Sequence, residues 1–203
     1  SRETKPFTLA LVGPMSGPDA EYGKAMRMGA EHFVDEIKAR GGINGRKLRL
    51  EVYNDKNDLE KAEEVARTIA QNSDVLGVLG HYYSTTSLAA APIYEEAGIV
   101  MISASATDDA ITEEYEWSFT TLPNSSSQGQ FIAHYLNDVL KVSSACVIYD
   151  EDIYGTNLKG SFLAEAEKLV LGIRGTWGCL EQTCLGRFFP TCRSRGSSGS
   201  SRS

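Results

Sequence analysis

A hydroxyl-rich loop at residues 81–87 has the residue types to bind a small anion. It contains Ser84, Thr85 and Thr86, and it leads directly into a segment with a helical pattern. The first turn of a helix offers free N–H groups and a positive dipole end, which attract a carboxylate, and hydroxyl groups add further donors. The alternative is that Ser84 or Thr85 only caps the helix. Taken alone, this loop favours that simpler interpretation.

A second loop, residues 103–109, has the sequence Ser-Ala-Ser-Ala-Thr-Asp-Asp. Its small side chains allow a ligand to approach the backbone closely. Its carbonyl groups can accept hydrogen bonds from an ammonium group, while Thr107 can donate to a carboxylate. An ordinary capped turn is the alternative. Two such loops at one edge of a sheet indicate a binding site more strongly than either loop alone.

Tyrosines occur at the tips of two further loops. Tyr22 follows the glycine- and proline-rich segment 13–18, and Tyr154 follows the acidic segment 150–152. Aromatic side chains at such positions often form the wall of an apolar pocket. The alternative, that each tyrosine simply packs at the start of a helix, is equally compatible with the sequence.

The elements that must position these loops alternate between strands and helices. Short apolar runs predict strands at residues 7–12, 75–79, 99–102 and 145–149. Alternation of apolar with charged residues predicts a strand at 48–53, and a further short strand is predicted at 117–120. Helical periodicity predicts helices between them, the first with a common face formed by Tyr22, Met26, Gly29, Phe33 and Ile37. The second helix is predicted to begin at Asp58 as its N-cap, and the third to span Ser84 to Ala97. This alternation is typical of an α/β fold with a mostly parallel, Rossmann-like sheet and helices on both faces. Ligands of such folds bind beyond the carboxyl ends of the strands, which selects the loops 13–21, 80–84, 103–108 and 150–155.

Composition excludes several classes of protein. The 203 residues are 41% hydrophobic and 23% charged, with a net charge of -7, which is typical of a soluble globular protein. No apolar run approaches the roughly 18 residues of a membrane span, so we expect no membrane insertion. The acidic balance argues against nucleic-acid binding. The chain begins at Ser1 and shows no signal peptide, which fits either a processed mature protein or a trimmed chain.

The last 32 residues differ sharply from the rest of the chain. Residues 172–203 contain five arginines, one acidic residue and three of the four cysteines, so they carry +4 and the remainder carries -11. We interpret them as a tail without a further strand, and residues 193–203 as disordered.

Enzyme chemistry has little support in the sequence. The three histidines are scattered, and no Ser/His/Asp or Cys/His spacing stands out. Cys146 lies inside an apolar strand, where a buried inert thiol is expected. The cysteines of the tail do not have zinc-ligand spacing, and no phosphate-binding glycine motif is present. The sequence therefore predicts a protein that is not an enzyme, with no metal and no cofactor.

Several motifs together resemble a known family. They are Gly-Pro-Met-Ser-Gly-Pro at 13–18 with Tyr-Gly at 22–23, Gly-Gly-Ile-Asn-Gly at 41–45, Gly-His at 80–81 before Ser-Thr-Thr, the 102–107 loop, and Tyr-Gly at 154–155. In order and spacing, from about Lys5 to about Gly172, they resemble type I periplasmic binding proteins, and most of all the leucine/isoleucine/valine-binding proteins of branched-chain amino-acid ABC transporters. The resemblance implies two Rossmann-like lobes that close on a ligand. Residues 1–120 would form the first lobe without its C-terminal return segment, and 121–171 would begin a second, incomplete lobe.

The resemblance also implies roles for the loop residues. Ser84 and Thr107 would hold the ligand carboxylate, and Ser105 would face the ammonium group, with Ala106 between them. Bordering the ligand side chain would be four tyrosines, Tyr22, Tyr82, Tyr83 and Tyr154. The pair Tyr82-Tyr83 departs from the family pattern, since smaller residues stand there in relatives. Two phenol rings would narrow the pocket or suit a polar or aromatic ligand.

By resemblance, the protein is an extracytoplasmic solute-binding receptor for an amino acid or similar small polar ligand. Its partner would be the membrane permease of an ABC transporter, and its location periplasmic or extracellular. The alternative is a ligand-sensing domain of a signalling protein with the same fold. A weaker alternative is a cytoplasmic regulator that binds an amide effector. A neighbouring permease gene would favour transport, and a membrane helix or signalling domain in the same gene would favour sensing.

Overall fold

A computed structural model describes residues 5–179 of the chain. They form two compact units, the first ending at Leu122 and the second beginning at Pro123. The sequence analysis placed this boundary two residues earlier. The segments 1–4 and 180–203, and with them the predicted disorder of residues 193–203, lie outside the described residues.

The first unit contains a five-stranded parallel sheet. Its strands are β1 (Phe7–Gly13), β2 (Leu48–Asn54), β3 (Val75–Leu79), β4 (Val100–Ser103) and β5 (Ser118–Thr120), in the order β2-β1-β3-β4-β5. Between them run the helices α1 (Ala20–Ala39), α2 (Leu59–Ala70), α3 (Ser84–Ala97) and α4 (Ala110–Glu113). The predicted α/β class with a parallel sheet is confirmed.

The central position of β1 follows from its apolar sequence. Ala10 and Val12 lie on the face that packs against α2 and α3, where Ile69 and Tyr94 are fully buried. Leu11 points to the opposite face, because successive side chains of a strand alternate, and it is 1% exposed. A strand covered on both faces is expected to be largely apolar, and Thr8 is the one polar residue of β1.

The buried face of α1 differs from the predicted one. Gly23, Ala30 and Val34 are its buried residues, whereas Gly29 and Phe33 are exposed. The prediction was wrong for these positions because it chose the buried face of the helix from the spacing of the large apolar side chains. The actual contact face consists mainly of small residues, which let the helix lie close to the neighbouring backbone.

Local signals in the sequence explain the ends of α2 and α3. The Asp58 carboxylate accepts a hydrogen bond from the Lys61 N–H over 2.8 Å, which confirms the predicted helix cap. Helix α3 runs through Pro92 without interruption and ends at Gly98, which takes the left-handed conformation with φ 64°.

The second unit contains two parallel strands and two main helices. Helix α5 (Ser125–His134) continues into a π-helical turn (Tyr135–Val139), followed by β6 (Ser144–Asp150), α6 (Ile153–Lys168) and β7 (Gly172–Cys179). Strand β7 corrects the expectation that no strand follows residue 172. Cys146 is exposed on β6 and forms a disulfide bond, so the expected buried thiol is also wrong.

In both units, the helix after the first strand packs against the end of that strand through a glycine. In α1, a Cβ added to Gly23 would lie 2.3 Å from the Pro14 carbonyl oxygen. In α6, a Cβ added to Gly155 would lie 2.2 Å from the Asp150 carbonyl oxygen. Each helix can therefore approach the end of the preceding strand only because a glycine stands in its first turn.

None of the helices between residues 5 and 179 is long and apolar enough to cross a membrane.

Candidate ligand-binding site

The two hydroxyl-rich loops lie side by side because their strands are neighbours. Strands β3 and β4 pair in parallel, with Leu79 opposite Ile102, so both chains leave the sheet at the same edge. The loop after β3 enters α3, and the loop after β4 leads to α4. The edge chosen from the sequence is therefore the edge at which these loops meet.

Direct hydrogen bonds join the two loops. The Ser105 hydroxyl donates to the Tyr82 carbonyl oxygen, and the Thr107 N–H donates to the Ser84 hydroxyl oxygen over 3.3 Å. Ser84 and Thr107 are both buried, at 3% and 2% exposure. The structure thus brings together four of the residues that the sequence analysis singled out.

Ser84 is the first residue of α3 and not its cap. The N-cap is Tyr83, whose side chain makes no capping hydrogen bond. The interpretation of Ser84 or Thr85 as a simple cap is therefore wrong. Because the first-turn N–H groups of a helix lack intrahelical acceptors, the start of α3 presents donors and positive potential beside the Ser84 hydroxyl.

Ala106 serves the loop through its backbone. Its N–H donates to the Ser103 hydroxyl over 2.9 Å, and its carbonyl accepts from the Thr120 hydroxyl over 2.8 Å. These two bonds fix the loop between Ser103 and Thr107. Ala106 therefore shapes the site through its backbone. Its predicted contact with a ligand stays a prediction.

Three tyrosines form an aromatic cluster at the rim of the first unit. The rings of Tyr22 and Tyr82 stack with their centroids 4.8 Å apart, and Tyr83 meets Tyr82 edge-on at 5.0 Å. The cluster connects the start of α1 to the loop after β3. These tyrosines therefore form one continuous surface, as expected for the border of a pocket.

Both phenols of the β3 loop remain protonated. Burial raises the pKa of Tyr82, helped by nearby Tyr22 and Asp19. Burial also raises the pKa of Tyr83, and the charge of Asp19 and a hydrogen bond to it act in the same direction. Each phenol thus keeps an O–H group that can donate a hydrogen bond.

Tyr154 belongs to the second unit. It lies in the first turn of α6, which Asp152 caps by accepting from the Gly155 N–H over 2.6 Å. There it lines an apolar groove of about 350 Å³ together with residues of β6, α5 and α6. Its predicted place in one pocket with the other tyrosines stays a prediction.

Sequence reasoning missed a buried polar group directly beneath the loops. The His81 Nδ1 lies 2.8 Å from the Asp55 Oδ2, and both side chains are completely buried. The Ser103 hydroxyl donates to the His81 carbonyl oxygen over 2.7 Å. The available signal was positional, because Asp55 follows β2, His81 follows β3, and Ser103 ends β4 at the same edge.

Within residues 5–179, no group of three or more His, Cys, Asp or Glu side chains could hold a metal ion. The site offers hydroxyl groups, amide groups and aromatic rings. Its chemistry is that of non-covalent recognition of a small polar molecule.

Comparison with known proteins gives a consistent result. A family model described as periplasmic binding protein matches residues 6–176. The Leu/Ile/Val-binding protein of Escherichia coli K12 is 37% identical over 151 residues, which cover 74% of this chain and 41% of that protein. An amino acid binding protein of Pseudomonas aeruginosa is 32% identical over 162 residues, covering 79% of this chain and 43% of that protein. The chain thus spans about two fifths of the length of these relatives.

Solved structures share the fold. The branched-chain amino acid transporter substrate-binding protein of Streptococcus pneumoniae, in complex with isoleucine, matches with a TM-score of 0.79 at 26% identity. The match covers 97% of this chain and 55% of that one. A solute-binding protein from R. palustris in complex with benzoate matches with a TM-score of 0.82, over 94% of this chain and 53% of that one. At 18% identity, the second match concerns the fold alone.

Proposed function

The chain belongs to the periplasmic binding protein family, and from this premise we propose that its first unit forms the carboxylate-binding half of an amino-acid receptor site. The observation that carries the proposal is the direct bonding of the β3 and β4 loops beside the uncapped start of α3. Ser84 and Thr107 hold the ligand carboxylate through hydroxyl and amide donors. Ser105 faces the ammonium group.

The ligand is an amino acid or a similar small polar solute. The relatives at 37% and 32% identity carry names that refer to leucine, isoleucine and valine, or to amino acids in general. The stacked pair of Tyr22 and Tyr82 supports a planar apolar border for the ligand side chain. Tyr83, which meets Tyr82 edge-on, extends that border in the proposal.

The role proposed for the whole protein is extracytoplasmic solute capture for an ABC transporter. A membrane permease is the partner, and the periplasm or cell exterior is the location. Membership of the periplasmic binding protein family supports both parts of this proposal. Sensing within a signalling protein uses the same ligand chemistry, so the binding experiment below applies to both.

Ligand titration monitored by amide NMR tests the proposal on the chain as it stands. L-leucine should shift the amide resonances of Ser84, Ala106 and Thr107 in a saturable manner. L-leucinamide, which lacks the carboxylate, should shift them much less. NMR is the suitable method because one unit holding the carboxylate binds weakly, and millimolar affinities are still measured.

A pair of variants controls the titration. Ser84→Ala removes the hydroxyl that the Thr107 amide bonds, and it should weaken leucine binding. Ser161→Ala removes an exposed hydroxyl that donates to the Asn157 carbonyl in α6, and it should leave binding unchanged. Equal shifts with leucine and leucinamide, or equal effects of the two variants, would refute the proposed carboxylate site.

A further inference from the structure

A chain of three buried side chains lies beneath the proposed site. The His81 Nδ1 is 2.8 Å from the Asp55 Oδ2, and its Nε2 is 3.3 Å from the Tyr94 hydroxyl oxygen. All three residues are 0% exposed. The three come from different elements, the loop after β2, the loop after β3, and the fourth turn region of α3.

The chain of bonds has a definite direction. Burial, with a further contribution from the charge of Asp55, raises the pKa of Tyr94, so its phenol keeps its proton. A buried O–H group needs an acceptor. Among the described residues, the hydrogen-bond partner of this phenol is the His81 Nε2. The His81 Nε2 is therefore unprotonated and accepts the hydrogen bond from the Tyr94 hydroxyl. The Nδ1 carries the proton and donates a hydrogen bond to the Asp55 carboxylate.

Asp55 is itself fixed on both sides. Its second carboxylate oxygen accepts from the Asn57 N–H over 3.0 Å, and its own N–H donates to the Gly13 carbonyl over 3.2 Å. The carboxylate thus accepts two hydrogen bonds. Through its side chain and its backbone N–H, Asp55 connects the ends of β1 and β2 to the imidazole.

The other end of the chain reaches the ligand loops. The His81 carbonyl accepts from the Ser103 hydroxyl over 2.7 Å, and that hydroxyl accepts from the Ala106 N–H over 2.9 Å. His81 directly precedes Tyr82, and Ala106 lies between Ser105 and Thr107. The His81 ring is held by Asp55 and Tyr94, and its backbone carbonyl is held by Ser103, so both sets of bonds fix the position of this one residue between the loops.

We propose that Tyr94, His81 and Asp55 act as positioning residues, holding the β3 and β4 loops at the spacing that binds the ligand carboxylate. The proposal rests on the function proposed above. None of the three residues touches the ligand. They act through the His81 backbone and Ser103, and they reduce the loop motion that binding would otherwise have to suppress.

The ligand-free protein provides the first test. In a long-range ¹H–¹⁵N correlation spectrum, His81 should show an unprotonated Nε2 and a protonated Nδ1. The opposite tautomer, or an imidazolium with both nitrogens protonated at neutral pH, would overturn the proposed direction of the chain. This test does not depend on whether any ligand binds.

Two variants test the positioning role. Tyr94→Phe removes the donor to the His81 Nε2. Asp55→Asn leaves one oxygen where two acceptor roles must be filled, so either the imidazole or the Asn57 N–H loses its partner. Each variant should shift the Ser84, Ala106 and Thr107 amides without ligand. Each should weaken leucine binding by about tenfold, the effect of roughly one lost buried hydrogen bond.

Tyr53→Phe is the matched control. It removes a phenol that donates to Glu51 over 2.8 Å and that packs against the same core, yet it has no bond to the chain. It should leave the three loop amides and the leucine affinity unchanged, even if it lowers stability. Equal effects of Tyr94→Phe and Tyr53→Phe on the loop amides would mean that the hydrogen bond of Tyr94 to His81 contributes no more than core packing does. That result would refute the proposal. If wild-type protein binds no leucine while the amide shifts and the tautomer are as expected, the ligand assignment fails and the positioning of the loops stands.

Discussion

Two glycines of α1 should respond to the same substitution in opposite directions. Replacing glycine by alanine in a helix gains about 1 kcal/mol of intrinsic propensity. At Gly29 nothing lies within 4 Å of the added Cβ, so this gain should appear in full as greater stability. At Gly23 the added Cβ would lie 2.3 Å from the Pro14 carbonyl oxygen and 2.8 Å from its carbon.

The cost at Gly23 can be estimated from its neighbours. Both close atoms belong to the backbone, so they cannot rotate away as the end of a side chain would. Forcing extra volume into such a site typically costs about 1–3 kcal/mol, and the upper part of that range, about 2–3 kcal/mol, applies here because the loop after β1 must also be displaced. After the propensity gain, Gly23→Ala should destabilise the first unit by about 1–2 kcal/mol, against a stabilisation of about 1 kcal/mol for Gly29→Ala.

Hydrogen exchange of the β1 and β3 amides is the suitable assay, because it reports the free energy of unfolding of the first unit alone. Urea denaturation followed by circular dichroism gives an independent value for the whole chain. Stability of Gly23→Ala equal to or above that of wild type would mean that α1 does not lie as close to Pro14 as described. The explanation of its small-residue face would then fail.

Three further changes test the packing, the capping and the electrostatics. Ile69→Ala should destabilise the first unit by about 2–5 kcal/mol in the same exchange assay, since the side chain is fully buried. Asp58→Ala should cost about 1 kcal/mol by removing the cap of α2, whereas Asp58→Asn should retain most of the stability. The exposed His134 contacts Asp138 and Glu165 in the second unit. Hydrogen bonding to Asp138, with the charges of both carboxylates, raises the pKa of His134 above its ordinary 6.5. Hydrogen bonds from His134 and Asn137 lower the pKa of Asp138 below 3.8. Lys168, with His134, lowers the pKa of Glu165 below 4.5. The stabilisation from the histidine is complete below pH 6.5 and is lost as pH rises through its raised pKa, whereas the part due to the carboxylates is lost as pH falls through their lowered values. Thermal stability of the second unit should therefore fall as pH rises above 6.5 through the raised pKa of His134, and this fall should disappear in His134→Gln.

Each of these predictions has an outcome that would contradict it. Ile69→Val removes only one methyl group, and it should cost clearly less than Ile69→Ala. Equal losses for Asp58→Ala and Asp58→Asn would show that the cap contributes nothing. An unchanged pH dependence in His134→Gln would assign the fall to other groups.

The strands of the first unit and their common edge were predictable because most of these strands are short apolar runs, while in β2 apolar residues alternate with charged ones. Helix α3 was predicted with its observed bounds, and Asp58 with its observed role. These features depend on local sequence, and so does the identity of the loops at the edge. A resemblance in motif order then connected the loops to ligand binding.

The features that were missed depend on contacts distant in sequence. Asp55 and His81 are 26 residues apart, and only the pairing of their strands reveals that they meet. Phe33 is exposed because α1 buries the face that carries Gly23, Ala30 and Val34, and the spacing of large apolar side chains does not identify that face. Strand β7 carries Gly172, Gly175 and Gly178, so it lacks the usual alternation, and it forms by pairing along β6.

The close packing of α1 and α6 makes the two units alike in one local respect. In each unit a tyrosine stands immediately before the glycine that rests on the preceding loop, Tyr22 before Gly23 and Tyr154 before Gly155. The segments β1-α1-β2 and β6-α6-β7 have the same order and the same parallel pairing. Close contact at the glycine therefore fixes the backbone of the tyrosine beside the carboxyl end of β1 in one unit and of β6 in the other.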